Sequence, residues 1–404
     1  MRNDLLLAAC GGSWDSSAPG VQSSNWSYLC AAAERQGVAP VLHHWLQQHP
    51  EIPVPTDASI QLQNLYWAQH FRNRVMLQEL DTLTDAASRA GIECIRLKGA
   101  TLAVDYYATP ALRPMSDLDL LVHLQDLDRM AHVLRTLAYV AVEATPSYAA
   151  DAWLDRGSRE HIWTKNRDGM EVLVEYRATA LQPTVGRVGD LDGTLAFAVR
   201  TYTDAMWARA VRGANTPSGR RQPSREDLLL HVAAHLGAQH SDFRLIWLHD
   251  LRRIVSQPGT AVDWDYVFAQ AAALRIAAAV WAALKAAAHW IAAPIPAGVL
   301  DRLHDVAASS SARLQEWERR RLDRHVAALG DADLTVSAPA VWPPLAALGR
   351  MRGWGPRLRT LRWAVFPSGE YLRHRGARPG ALGHITTAAR RWLLAVTRLS
   401  TDRR

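Results

Sequence analysis

The chain has 404 residues, 49% of them hydrophobic and 21% charged, with a formal net charge of +7. That length and composition supply a sizeable core with room for more than one domain, and exclude a disordered or low-complexity protein. The charge is unevenly placed: residues 350–404 hold 13 Arg, no Lys and two acids, a balance of +11, which leaves −4 for the preceding 349 residues. A body without excess positive charge argues against tracking long nucleic acid there. It confines contact with nucleic acid, a membrane surface or an acidic peptide to the basic tail.

The apolar start, residues 1–10, is too short and too early interrupted for a signal peptide. The most apolar later stretch, 276–291, carries Lys285 and His289 and falls short of a membrane span. Cys10, Cys30 and Cys94 are odd in number and lack zinc or redox spacing, which reads as reduced thiols in a cytoplasmic protein without transmembrane segments.

Residues 25–49 predict two helices separated at Gly37, and Pro50, Pro53 and Pro55 mark a loop. Residues 58–90 then predict one long amphipathic helix, with Leu62, Leu65, Phe71, Val75, Leu80 and Leu83 at helical spacing and a sheet as its packing partner.

The stretch 95–123 organises the rest. A short strand ends at Lys98-Gly99 and residues 100–107 have helical character, so glycine marks a strand-to-helix turn. Such a turn presents backbone N–H groups at a helix N-terminus, where phosphate is favoured, and Lys98 adds a point charge beside it. Downstream, Asp117 and Asp119 alternate with Ser116 and Leu118 and precede the apolar run Leu120, Leu121 and Val122. Both acids therefore face one way on a strand, roughly 6.5–7 Å apart at Cα, and repel unless a cation lies between them. Mg²⁺ suits such a pair. Taken alone, an Asp-x-Asp fits a solvated strand end equally well; beside a phosphate turn it suggests a nucleoside triphosphate site.

The Lys98-Gly99 turn, Tyr106-Tyr107, Arg113-Pro114 and the run Ser116-Asp117-Leu118-Asp119-Leu120-Leu121-Val122 resemble an uncharacterised nucleotidyltransferase family, a branch of the DNA polymerase β-like nucleotidyltransferase superfamily. The resemblance runs from about residue 25 to about residue 376. It implies an α+β fold: a polymerase β-like mixed sheet with helical N-terminal and C-terminal additions. Members of the superfamily commonly show a Gly-Ser or Gly-Gly turn and a shorter gap before the acid pair, whereas 17 residues separate Gly99 from Asp117 here.

Beyond the acid pair, 126–139 predict a helix and 145–160 an irregular stretch. Residues 160–177 predict two strands joined at Asp168-Gly169. In the second strand Met170, Val172, Val174 and Tyr176 share one face, and Glu171, Leu173, Glu175 and Arg177 share the other. The resemblance implies a third carboxylate on this strand and places it at Glu175, with Glu171 on the same face as the alternative. The histidine that often follows in the family is Arg177 here, so its role does not transfer. Residues 181–222, rich in glycine, read as a linker.

Ser224 caps a helix that carries His231 and His235 at i, i+4, followed by His240. That is metal-ligand spacing, but no partner carboxylate accompanies it, so helix packing or contact with a nucleotide from above is the stronger expectation. Residues 244–255 resemble a helical motif of the same family, with Asp250 read as holding Arg252 or a histidine, or as a surface ion pair. An alanine-rich helix over 265–292, a charged helix over 301–329 and the arginine-rich tail complete the chain. The expected domains are an N-terminal helical region (1–78), a nucleotidyltransferase core (79–215), a helical domain (216–345) and a basic tail (346–404).

The resemblance implies an enzyme that moves a nucleotidyl or related phosphate-bearing group from a nucleotide donor to an acceptor. A peptide or small metabolite is the expected acceptor, in keeping with peptide natural-product modification. Two Mg²⁺ ions, with Mn²⁺ as a substitute, would sit at Asp117, Asp119 and Glu175. Lys98, Gly99, Arg113 and Ser116 would hold the nucleotide. A non-catalytic nucleotide-binding protein of the same fold and an RNA-modifying enzyme are the alternatives.

Overall fold

A strand near residue 95 pairs with one near residue 120, and the sheet grows outward from that pair. The computed structural model describes residues 3–12, 25–142, 160–181, 193–213, 221–240, 244–259 and 261–309, with a few positions between 320 and 362. Strands β1 (Cys94–Arg96) and β2 (Leu118–Val122) run antiparallel, with Ile95 opposite Leu121. β3 (Val140–Ala141), β4 (His161–Arg167) and β5 (Met170–Arg177) form a meander. Its last strand lies parallel to β2 with Asp119 opposite Glu175. Two short strands, β6 (Val211–Arg212) and β7 (Arg221–Gln222), complete a seven-stranded mixed sheet in the order β3-β4-β5-β2-β1-β7-β6. The β4–β5 turn forms at Asp168 and Gly169, both at positive φ (54° and 83°), as the Asp-Gly pair predicts.

Helices cover both faces. On one, α4 (Thr56–Arg89) and α6 (Leu127–Thr136) lay Met76, Leu80, Leu83, Met130 and Leu134 over Leu118, Leu120, Val122, Val172, Val174 and Tyr176. The opposite face of β2 contributes Leu121 to a second core. That core gathers α1 (Asp4–Ala9), α2 (Trp26–Gln36), α3 (Ala39–Leu46), α7 (Gly193–Arg209), α8 (Arg225–Ala234), α9 (Leu245–Val255), α10 (Trp264–Ala273), α11 (Ala277–Ile291) and α12 (Val299–Ser309). α5 (Lys98–Asp105) starts directly after β1. Every residue of β2 is therefore buried. A strand covered on both sides reads as a continuous apolar run, and its acids fall at the end where the cover opens.

The helices expected at 25–49, 58–90 and 126–139 are present, with Gly37 between α2 and α3 in the left-handed conformation. Four features depart from expectation. Residues 181–222 do not form a simple linker: α7 places Leu195, Val199, Tyr202 and Met206 in the core, and β6 and β7 join the sheet. Glycine content misleads there because the glycines flank the helix rather than interrupt it. Helix α4 runs unbroken across the expected 78/79 boundary. Phe71, expected on its buried stripe, is 60% exposed. The stretch 265–292 is two helices, α10 and α11, parted where Arg275 adopts positive φ (56°). Most of the charged 301–329 segment beyond Ser309, and nearly all of the basic tail, lie outside the described residues.

α4 is tied to the hairpin by charge. Glu79, 1% exposed, accepts hydrogen bonds from Lys165 Nζ (3.1 Å), Tyr139 Oη (2.8 Å) and Arg167 Nη1. Burial pushes its carboxyl up, but those bonds outweigh it and hold the pKa below the usual value.

α8 continues into a π-helical turn, His235–His240, against α11. A Cβ on Gly237 would lie 2.9 Å from both the Cβ and the carbonyl oxygen of Ala279. Neither atom can move without moving α11. Gly237→Ala should therefore lower stability by about 1–3 kcal/mol through overpacking, read as a fall in calorimetric Tm; an unchanged Tm would show that the π-helical turn yields freely.

Candidate active site

The turn from β1 into α5 is built around a residue in an unfavourable conformation. Lys98 has φ 44°, in the left-handed region that non-glycine residues avoid. Strain there is compensated by its surroundings. The N–H of Leu97 donates to the Asp119 carbonyl (3.0 Å), and Lys98 Nζ reaches Asp119 Oδ1 at 2.7 Å. α5 begins without a side-chain cap, at an end that favours anions. Gly99 lies against Arg113, and a Cβ there would approach Arg113 Nη1 to 3.2 Å and Met115 Cγ to 3.3 Å.

A cleft of about 300 Å³ opens at this point. Its wall includes Lys98, Gly99, Arg113, Ser116, Asp117 and Asp119, six of the seven residues that the sequence singled out. Asp117 precedes β2 and Asp119 is its second residue, 3% exposed. Burial, then the charge of Asp119, raises the Asp117 carboxyl above its usual pKa, against the lowering effects of Lys98, the Ser116 hydroxyl and Arg113. Glu175, the seventh, is not part of the cleft wall but stands beside Asp119 on the parallel neighbour strand. Burial, Asp119, Glu160 and Asp117 push its carboxyl up to about 7. Glu171 is exposed, lies beyond the β2 pairing, and accepts a hydrogen bond from Thr164 Oγ1 (2.8 Å). Of the two glutamates left open by the sequence, only Glu175 lies beside the acid pair.

The acids are answered by two cations. Besides Lys98, the buried Arg177 places Nη2 3.7 Å from Asp119 Oδ1 while its Nη1 donates to Glu160 Oε1 (2.9 Å). Arg177 was legible only as a departure from a family pattern; its register with Leu121 makes it a neighbour of the acids. Among the described residues no group of three or more His, Cys, Asp or Glu side chains is disposed to hold a metal ion.

Arg113 is held from behind. Its Nη2 lies 2.8 Å from Asp250 Oδ2 and its Nε 3.1 Å from Asp250 Oδ1, while Nη1 donates to the Pro114 carbonyl. Asp250 is fully buried and also accepts from Tyr107 Oη (2.7 Å). It is neither a surface pair nor the partner of Arg252, which donates instead to the Ile291 carbonyl. Asn73 on α4 braces the same loop by donating to the carbonyls of Pro110 (2.6 Å) and Arg113 (2.8 Å), and Arg72 donates to those of Met115 (3.0 Å) and Ser116 (3.3 Å). No local sequence signal marks these braces, since their acceptors are main-chain carbonyls some 40 residues away.

A family model described as an uncharacterised nucleotidyltransferase matches residues 22–292. The chain belongs to this family. No curated protein and no solved structure matches it. Membership supports nucleotidyl transfer as the general activity and a nucleotide as a substrate. The matched span contains every site residue discussed here and ends before the tail segment in which a resemblance was also read. Among the described residues no helix is long and apolar enough to cross a membrane.

The histidines of α8 divide. His231 is buried, and burial with the charges of Arg177 and Lys98 depresses its pKa well below the usual value. His235 reaches the cleft wall, edge-on to Trp247 at 5.0 Å. The side chain of His240 lies outside the described residues.

Charge crowding gives the site a measurable signature in chelator. A carboxyl whose pKa is raised on folding binds protons more tightly in the folded state, so stability falls as pH rises from the unfolded to the folded value. For Glu175 that window runs from 4.5 to about 7. Glu175→Gln should flatten the decline of Tm across it. Asp117→Asn should match or exceed wild-type Tm at pH 7, the difference closing as pH falls toward the ordinary carboxylate range. A large loss of Tm for Asp117→Asn would mean that the acid pair is a structural element.

Proposed function

We propose that this chain is a Mg²⁺-dependent nucleotidyltransferase that moves a nucleotidyl or related phosphate-bearing group from a nucleotide donor to an oxygen of a peptide or small-metabolite acceptor. The observation that carries the reading is the meeting of Asp117 and Asp119 with the uncapped N-terminus of α5 and Lys98 in one cleft. A polymerase β-like core is part of it, supported by the acid pair at the start of β2 and the glutamate beside it on parallel β5.

The donor set suits Mg²⁺ in kind. It consists of carboxylate oxygens without soft ligands, and Mg²⁺ characteristically takes one or two carboxylates plus substrate phosphates rather than an all-protein cage. Asp117 and Asp119 would hold the ion or ion pair, with Glu175 as the third carboxylate; Mn²⁺ would substitute. When bound, the metal would offset the charge of the donor phosphates and favour deprotonation of the acceptor oxygen.

The protein's own groups do the rest. Lys98 now neutralises Asp119, and its flexible stem lets the ammonium transfer to a donor phosphate beside the α5 N–H groups. Ser116 and Gly99 line the phosphate path. Arg113, its fork engaged by Asp250, contributes positive potential at a set position rather than a moving contact. Glu175, beside Asp119, takes the acceptor proton. Arg177 offsets part of the charge of Asp119.

The acceptor class is supported by charge: the body preceding the tail sums to −4, unlike a surface built for RNA. A nucleotide-binding protein without turnover differs in one measurable respect, since only an enzyme releases pyrophosphate from nucleoside triphosphate in the presence of Mg²⁺ and acceptor.

Asp117→Asn and Asp119→Asn should abolish pyrophosphate release, and full activity in either would sink the mechanism. Glu175→Gln should slow turnover by about 10²-fold or more, as loss of an acid–base group does, while Glu171→Gln stays near wild type. A reversal of those two effects would place the β2–β5 register in error. Lys98→Met should weaken nucleotide binding yet tighten Mn²⁺ binding without nucleotide, because a competing cation has left Asp119. Calorimetric titration of both ligands checks this, and weaker Mn²⁺ binding would show that Lys98 does not compete for the acids.

A further inference from the structure

The cleft has two unlike walls. One carries the acids and the phosphate turn; the other is the first turn of α9 together with the start of the π-helical turn, with Trp247, Arg244, Ile246 and His235. Phosphate and metal chemistry makes no use of an indole, so the second wall calls for a ligand with an aromatic or apolar part. Trp247 is also held in place. Its ring meets His235 edge-on at 5.0 Å, and the Arg244 guanidinium lies over the ring, 5.4 Å from its centroid, while donating to the Arg35 carbonyl (2.7 Å).

The two walls are mechanically joined. Trp247 and Asp250 are three apart on α9 and so share a face. Asp250 clamps Arg113, and Arg113 lies against Gly99 at the phosphate turn. A ligand spanning the cleft would thus meet phosphate-binding and stacking groups at a set separation. The cavity volume of about 300 Å³ is at the lower end for small-molecule sites.

Building on the reading of the cleft as a donor nucleotide site, we propose that Trp247 is the stacking platform for the donor's base. Base stacking on an aromatic ring is tolerant of base identity, because every base has a π-face. The α9 wall therefore supplies affinity for a nucleoside as such. Selection among bases is left to the polar groups at its margin.

The test compares two probes on the full chain with Mg²⁺: ATP, and inorganic tripolyphosphate, which has the phosphates but no base. Trp247→Ala should weaken ATP about tenfold or more, the size expected for loss of one stacked base, and leave tripolyphosphate within about twofold. Trp247→Phe should keep most of the ATP affinity. Trp247→Leu, which preserves apolar packing under α9, should behave like alanine and serves in its place if alanine does not fold. Equal losses for both probes, or ATP binding unaffected by Trp247→Ala or Trp247→Leu, would overturn the stacking role while leaving the phosphate site intact. If wild type binds neither probe, the donor-site reading itself fails and the stacking role falls with it.

Discussion

The site depends on a strand that is buried on both faces yet carries an acid as its second residue, with another just ahead of it. β2 packs Leu118, Leu120 and Val122 into one core and Leu121 into the other, which leaves Asp119 little contact with water. A buried carboxylate needs a counter-charge, and isolating one costs several kcal/mol. Lys98 and Arg177 meet that need from two different neighbours of β2, the turn after β1 and the end of β5. The strained φ of Lys98 follows from the same demand, since the turn must deliver an ammonium group to the acid while opening a helix N-terminus toward the cleft.

This arrangement makes the phosphate group of the cleft and the acid group electrostatically interdependent. On the proposed reading, a cation entering between the acids would compete with Lys98 and an anion reaching the turn would draw Lys98 away, so each event would favour the other. Coupling of this kind suits a site that should assemble only when nucleotide and metal arrive together.

The second structural axis is the buried Arg113–Asp250 clamp, reinforced by Tyr107. It joins the loop ahead of the acids to α9, and α9 lies in the helical core formed with α8 and α11. The helical additions are thus part of the cleft rather than decoration on a catalytic sheet. The exposed Phe71 and the braces from Arg72 and Asn73 show α4 working in the same sense, with its buried stripe on the sheet and its polar flank on the loop that carries Met115 and Ser116.

What the sequence determined by itself was local. Periodicity gave the helices, Asp168-Gly169 gave the hairpin, and the Lys-Gly turn and Asp-x-Asp pair gave four residues, Lys98, Gly99, Asp117 and Asp119, that do share one cleft, because each signal is written within a few residues of chain. Tertiary structure alone decided the partners. The β2–β5 register placed Glu175 rather than Glu171 beside Asp119 and turned Arg177 into a counter-ion; packing of α9 gave Asp250 to Arg113, 137 residues away, instead of to its helical neighbours. It also brought Trp247 to the cleft and drew α7 out of a glycine-rich stretch into the core. The reason is physical: a charge or an aromatic ring takes its partner according to which distant segments desolvate it, and that depends on strand register and helix packing, neither of which is encoded in local spacing.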